Sequence, residues 1–288
     1  DFERRVGLWP ADFDADGELF CNQRYGDWPL SVSGFCQDPW RNPAWMLLSV
    51  HKAATASSCL SGHEPEKAIE ENVQTWWRAA SASREEWLCV DLGEVFDVHA
   101  VQVNFADDKI DIPCPGEIRP GSQARYIDEE DRVTQWKLEG SCDKETWFVI
   151  EDKQDAATDL PHDLIVREEG FAARYLRLSG MAVPFAQNPC ISGLRVFGLG
   201  KGEAPAVPQF EAKRSGDLDM MVDISAQKDA LGYNILFGST SEKLYHSYMV
   251  FEPGEHRVGA LIKDRNYVVR VDAFNENGIT EGICKALS

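Results

Sequence analysis

The stretch Ala68–Ala79 reads AIEENVQTWWRA, and Trp87–Gly93 follows as WLCVDLG. The second piece has the length and alternation of a short strand, whereas the first sets two acids, an amide, a threonine and a tryptophan pair in front of it. Such a stretch can be a metal loop, an active site, a sugar platform or the corner of a β-sandwich. The surrounding pattern separates these readings. From Val50 onward, short period-two runs alternate with turns: AVQVNFA, TQWKLEGS, TWFVIED, ARYLRLSG and GLRVFGLG. In AVQVNFA, Val101, Val103 and Phe105 face a core while Gln102 and Asn104 face outward, the signature of an antiparallel strand wet on one side. No segment carries a long 3.6-residue apolar stripe, so the middle of the chain is predicted to be an all-β sandwich.

Beyond it, Gly198–Pro208 (GLGKGEAPAVP) combines glycine, proline and charge without periodicity and reads as an interdomain linker. DMMVDIS, GYNILFG, RVGALI and YVVRVDAF then predict a second, smaller β-sandwich. The first fifty residues hold strand-sized pieces, too few to close a core alone. With no Met and no signal sequence at Asp1, they are expected to be the remnant of a domain lying mostly upstream.

Composition narrows the function. The chain has 288 residues and a net charge of −19, which argues against nucleic acid and anionic membrane surfaces, because phosphate binding needs clustered Lys and Arg. No apolar run reaches the roughly 20 residues that span a bilayer, so membrane insertion is not expected. The 8 cysteines, at 21, 36, 59, 89, 114, 142, 190 and 284, form no C-x-x-C pair and no Cys/His metal spacing. Buried free thiols are expected, with Cys89 and Cys142 half-buried in their strands. The 6 histidines are scattered, and no G-x-S-x-G, H-E-x-x-H or phosphate-loop pattern is present.

ATASS (Ala54–Ser58), AIEENVQTWW, WLCVDLG, GSCDKETW, ARYLRL and ISGLRVFG follow in the order and spacing of the discoidin, or coagulation factor 5/8 type C, domain. That fold includes the family 32 carbohydrate-binding modules, and the resemblance spans about residues 50–199. The tail YVVRVDAFNENGITEG resembles the last strands of a fibronectin type III domain, with Tyr267 as the tyrosine that closes a sandwich corner. The opening FERRVGLWPADFDADGELFCNQRYGDWP resembles the closing blade of the five-bladed propeller of glycoside hydrolase family 43. The implied architecture is all-β: residues 1–49 end a propeller blade, 50–199 form a discoidin-like jelly-roll sandwich, 200–208 link, and 209–288 form the fibronectin-like sandwich.

The resemblance implies where to look for chemistry. Discoidin-like domains often hold a structural calcium ion in a loop A-x-D-G-D-x-x-T-x-W, helped by a Glu from the last strand. Here Ala68, Glu70, Asn72 and Thr75 keep a weakened version, because Glu70 replaces the first Asp, Glu71 the Gly, Asn72 the second Asp, and Gly193 stands where the Glu is expected. No cofactor is implied, and calcium is the one ion left open. The turn DFDADGE (Asp12–Glu18) imitates the start of an EF-hand but has Gln23 where the bidentate Glu belongs, so a polar hairpin with Asp16-Gly17 at its turn is expected.

For sugar binding, a ring beside hydrogen-bonding groups is needed. Trp76 and Arg78, with His63 and Glu64 from the preceding loop, supply these, with Trp77 buried and Trp76 the exposed ring. The insertion at residues 107–131 exceeds an ordinary hairpin connection, and its Arg119, Arg125 and Tyr126 are expected to dock on the propeller or cover the ligand. The leading expectation is an accessory carbohydrate-binding or scaffolding region of a family 43-like glycoside hydrolase acting on plant or host glycans. Its partners are an oligo- or polysaccharide and an upstream catalytic propeller in cis. The hydrolase's acids lie on earlier blades, so this stretch is expected to be non-catalytic. The alternative is a set of structural domains that shape the propeller active site without binding sugar. A cell-surface adhesion module is a weaker third reading, and the sequence fixes no compartment.

Overall fold

A computed structural model describes residues 9–29, 38–109 and 132–288. Among them the regular elements are strands, with short 3-10 turns at Pro65–Ala68 and Pro184–Ala186 and no helix long and apolar enough to cross a membrane. The all-β expectation holds. Contacts divide the chain into Leu48–Val196 and a second unit in which Phe197–Ser288 joins the N-terminal stretch.

The first unit is a jelly-roll sandwich made by bending long strands. Two of them, β6 (Leu88–Phe105, 18 residues) and β9 (His162–Ala182, 21 residues), run antiparallel. Register shifts interrupt their ladder between Asp91/Phe96 and Val98/Ala100. Bulges bend strands and increase twist, so each strand can serve two faces of one core. β4 (Ala53–Ala56) pairs with the start of β6, β7 (Gln135–Ser141) and β8 (Phe148–Asp152) continue the sheet beyond β9, and β5 (Trp77–Arg78) pairs with β10 (Cys190–Leu199). Val101, Val103 and Phe105 join Trp77, Trp136, Leu138, Leu176 and Leu178 in that core, as the alternation predicts. Gln102 and Asn104 face away from it but not simply into water: Gln102 Oε1 accepts from Arg195, and Asn104 Oδ1 lies 3.0 Å from His162 Nδ1.

The second unit has a three-stranded sheet, β11 (Phe210–Arg214), β12 (Met220–Ile224) and β15 (Gly254–Val258). It faces a sheet ordered β14 (His246–Val250), β13 (Gly232–Gly238), β16 (Val268–Asn275) and β17 (Gly278–Thr280), with β18 (Lys285–Ala286) also on β16. Val269, Val271 and Ala273 point inward, and the Tyr267 hydroxyl accepts the Ile262 N–H at 3.0 Å. Every residue of β13 is buried, because the N-terminal stretch covers the outer face of its sheet. Tyr25 and Trp28 pack against Phe274 edge-on, and Phe20, Trp40 and Tyr245 form a cluster of near-parallel rings.

That stretch forms a hairpin, β1 (Ala11–Phe13) with β2 (Leu19–Cys21), turning at Asp16-Gly17, where Gly17 has φ +78°. Three of its acids share a side-chain cation: Lys243 Nζ lies 2.9, 2.6 and 2.9 Å from Asp14, Asp16 and Glu18. The Tyr245 hydroxyl and Lys243 hold the Asp14 carboxyl well below the usual carboxylate range. β3 (Met46–Leu47) pairs with Phe197 and Gly198 at the end of β10.

The cysteines described are free thiols. Cys89 and Cys190 are buried, and burial pushes their thiols up to about 11 and about 12. Cys142, expected to be half-buried, is exposed at the turn after β7, with its thiol 3.4 Å from the Ala172 carbonyl. Cys36 and Cys114 lie outside the described residues.

Candidate functional site

Strand alternation sends Trp77 inward, wholly buried, with its indole N–H donating to the Ser58 carbonyl at 3.0 Å. Trp76 and Arg78 therefore point the other way. The loop before them is clipped alongside, since the Leu60 N–H donates to the Arg78 carbonyl and the Arg78 N–H to the His63 carbonyl. This brings His63 against Trp76: the rings are 5.2 Å apart with a 31° tilt, and His63 Nδ1 is 3.1 Å from the Trp76 carbonyl. Trp76 is consequently half-buried rather than the exposed ring that the sequence suggests. The imidazole covers it, a contact across a loop that strand alternation alone does not reveal.

Arg78 donates to Asp108, whose carboxylate also lies 4.0 Å from His63 Nε2. Arg78 and Asp108 are only 13% and 11% exposed, so their attraction is poorly screened and the pair is nearly neutral as seen by a ligand. Asp108 stands just past the end of β6. Gln187 fixes that end, its amide donating to Asp107 at 3.0 Å, while Asn188 donates to the Ala79 carbonyl at 2.8 Å. The side-chain N–H groups of Trp76 (Nε1) and Arg78 (Nε) have no hydrogen-bond partner among the described residues.

Glu64 sits beside this cluster but is exposed. Its carboxylate turns back to accept the Gly62 N–H at 2.8 Å, and that bond, with one from its own N–H, draws its pKa below the ordinary glutamate value. Glu64 thus shapes the turn carrying His63. A second carboxylate braces the same end of the sandwich: buried Glu86 accepts from the hydroxyls of Ser57, Ser58 and Ser81. Ser57 and Ser58 in turn accept the Trp87 and Ala80 N–H groups at 2.9 Å each. Burial disfavours the Glu86 charge, and the hydroxyls outweigh it, leaving the pKa lowered.

The residues of the calcium-type loop are also placed. Ala68 is buried in the 3-10 turn. Glu70 accepts from Thr75 Oγ1 and pairs with Lys67 at 3.2 Å, and Asn72 Oδ1 accepts the Gln74 N–H. The Asn72 carbonyl accepts both the N–H and the hydroxyl of Thr75, at 3.1 and 3.0 Å. Among the described residues, no group of three or more His, Cys, Asp or Glu side chains is arranged to hold a metal. Arg119, Arg125 and Tyr126 lie outside the described residues.

Of the expected set, the structure places His63, Trp76 and Arg78 in one cluster with Glu64 exposed beside it, and it adds Asp108, Gln187 and Glu86, which the sequence did not point to. The available signal was the Asp107-Asp108 pair at the mouth of the long insertion and the serine-rich ATASS and ASAS segments facing Glu86. Chemically, the cluster offers an aromatic ring edge, an imidazole, a guanidinium and a carboxylate within one surface, which suits recognition of hydroxyl groups. Burial of the nearby Cys190 favours its neutral thiol over the thiolate.

No curated protein matches the sequence. Two solved structures that resemble it each cover about half of the chain. A chitosan-binding module 2 from the chitosanase/glucanase of Paenibacillus sp. IK-5, in complex with chitotriose, is 20% identical, with a TM-score of 0.40 over 52% of this chain and 99% of that one. The family 32 module of Clostridium perfringens NanJ, in complex with galactose, is 13% identical, with a TM-score of 0.40 over 53% and 98%. Residues 67–178, which include Trp76, Arg78, Glu86 and Asp108, match the F5/F8 type C family model described as a NedA-like, galactose-binding domain.

Proposed function

We propose that this chain is the accessory carbohydrate-binding region of a carbohydrate-active enzyme, a family 43-like glycoside hydrolase acting on plant or host glycans, and that the saccharide binds at His63, Trp76 and Arg78. The observation that supports it is the convergence of those three side chains with Asp108 at one end of the sandwich. A sugar lays its C–H surface on the open part of the Trp76 ring while its hydroxyls exchange hydrogen bonds with Arg78, Asp108 and His63. Glu64 and Glu86 hold the loops rather than the ligand. Binding keeps a catalytic propeller, joined in cis, near its polymer.

In the same reading, residues 209–288 are a fibronectin type III-like domain, supported by the β11-β12-β15 and β14-β13-β16-β17 strand orders and by the Tyr267 corner. Residues 1–49 end a propeller blade, and 200–208 connect the two sandwiches. A second reading, scaffolding, has its own support. Phe13 and Leu19, paired across the hairpin, are 66% and 64% exposed, an apolar patch suited to a neighbouring propeller blade. Arg119, Arg125 and Tyr126 of the insertion are proposed to take part in that docking.

Affinity electrophoresis of the whole chain through gels carrying galactan, arabinan, xylan or chitosan tests the proposal. The parent is expected to be retarded by at least one polymer, and Trp76→Ala and Arg78→Ala to run freely with unchanged circular dichroism. Free migration of the parent in all of them would leave scaffolding as the function.

A further inference from the structure

We infer that the corner at Ala68–Trp77 is locked by an internal guanidinium, that of Arg195, at the position where a discoidin-type loop uses calcium, so that this chain keeps its fold without the metal. The inference is independent of whether the neighbouring face binds sugar.

Arg195 projects from β10 into the corner. Its Nη2 lies 2.9 Å from Glu71 Oε2 and its Nε 3.1 Å from Glu71 Oε1, a side-on bidentate pair, while Nη1 donates to Gln102 Oε1 at 2.9 Å. The side chains of Arg195 and Glu71 are 9% and 10% exposed. Bidentate geometry fixes orientation as well as charge, which a bound ion would otherwise do for the loop. Glu71 also occupies the loop's glycine position, with φ +57°, a left-handed conformation that a non-glycine residue adopts only at a cost. The pair to Arg195 supplies the compensation, and it explains why a long acid stands where the resembling loops have Gly.

The oxygens that would coordinate a metal already have partners. Glu70 is taken by Lys67 and the Thr75 hydroxyl, and the Asn72 carbonyl by two donors of Thr75. Each of the two acids thus has its own side-chain cation. On β10, a Cβ added at Gly193 would lie 2.6 Å from Asn104 Nδ2, so the Asn104 side chain fills the space a last-strand glutamate would need. A divalent ion entering here would have to displace the guanidinium and leave a buried arginine uncompensated. The acidic turn at Asp14–Glu18, closed by Lys243, uses the same device in the second unit.

Thermal unfolding of the whole chain tests this without any substitution. After exhaustive chelation, and again after adding millimolar calcium, the melting curves are expected to superimpose, whereas a ligand far above its dissociation constant would raise the transition by several degrees. A reversible, calcium-specific rise in the parent overturns the inference. Arg195→Met should lower the melting temperature, and Arg195→Met/Glu71→Met should recover part of the loss, because the second change removes the stranded carboxylate. A neutral single variant, or a double variant no more stable than the single, overturns the assignment of Arg195 as the lock.

Discussion

Asp108 closes on Arg78 across 30 positions of sequence, and the same carboxylate lies 4.0 Å from His63 Nε2. The guanidinium of the candidate site is therefore already neutralised before any ligand arrives, in a chain whose net charge is −19. Neutral and amine-bearing saccharides are expected to bind in preference to uronates. Asp108→Asn releases Arg78 for a charge-assisted contact of about 1.5–3 kcal/mol, so affinity for a uronate-rich polymer should rise by about tenfold or more. Affinity electrophoresis on neutral and acidic polysaccharides reads this directly, and unaltered acidic-sugar binding in the variant would place the ligand elsewhere.

The neighbouring tryptophans should separate fold from function. Trp77 is wholly buried, so Trp77→Ala is expected to cost roughly 3–5 kcal/mol and compromise folding. Trp76 is half-buried against His63 and adjoins no closed core, so Trp76→Ala should cost about 1 kcal/mol while abolishing saccharide retardation. Urea unfolding combined with gel binding distinguishes the two. If Trp76→Ala retained full binding, the ring would be structural only.

What the sequence made legible follows from range. Trp77, Val101, Val103, Phe105, Val269 and Val271 could be assigned to cores because alternation is a local property of a strand. Arg78–Asp108 and Glu71–Arg195 were invisible because their partners are joined only when β5, β6 and β10 are brought together. The segment after Gly198 shows a different limit. Its glycines and prolines read as a linker, yet its backbone is pinned: Asn275 and Asn277 both donate to the Glu203 carbonyl, and the Gly202 N–H donates to Asn277. Composition reported flexibility of the free chain, not the side-chain amides waiting on the adjacent hairpin.

That pinning is testable. Asn275→Ala leaves the Glu203 and Asp229 carbonyls short of a donor and should destabilise the second unit by about 1–3 kcal/mol. Limited proteolysis should then cut within residues 200–208 of the variant while the parent resists. Equal resistance would show that the Asn275 amide is dispensable and that Asn277 holds the segment alone.

Glu86 gives the site its acid sensitivity. Burial opposes its charge, but the hydroxyls of Ser57, Ser81 and Ser58 favour it more, so its folded pKa lies below the ordinary value of 4.5. A carboxyl depressed by folding contributes stability that is fully present above its unfolded pKa and is lost as pH falls through the lower, folded one. Glu86→Gln weakens hydrogen bonds to a charged acceptor and should cost about 1.5–3 kcal/mol at neutral pH. Because the serines anchor the loops that carry His63 and Arg78, the variant should also weaken saccharide binding although Glu86 touches no ligand. Melting temperatures of parent and variant, measured side by side, should differ by a constant amount above about pH 5 and converge as the parent's carboxylate protonates below that. A difference independent of pH down to acid unfolding would mean that the Glu86 charge contributes nothing and that the serine cage acts through packing alone.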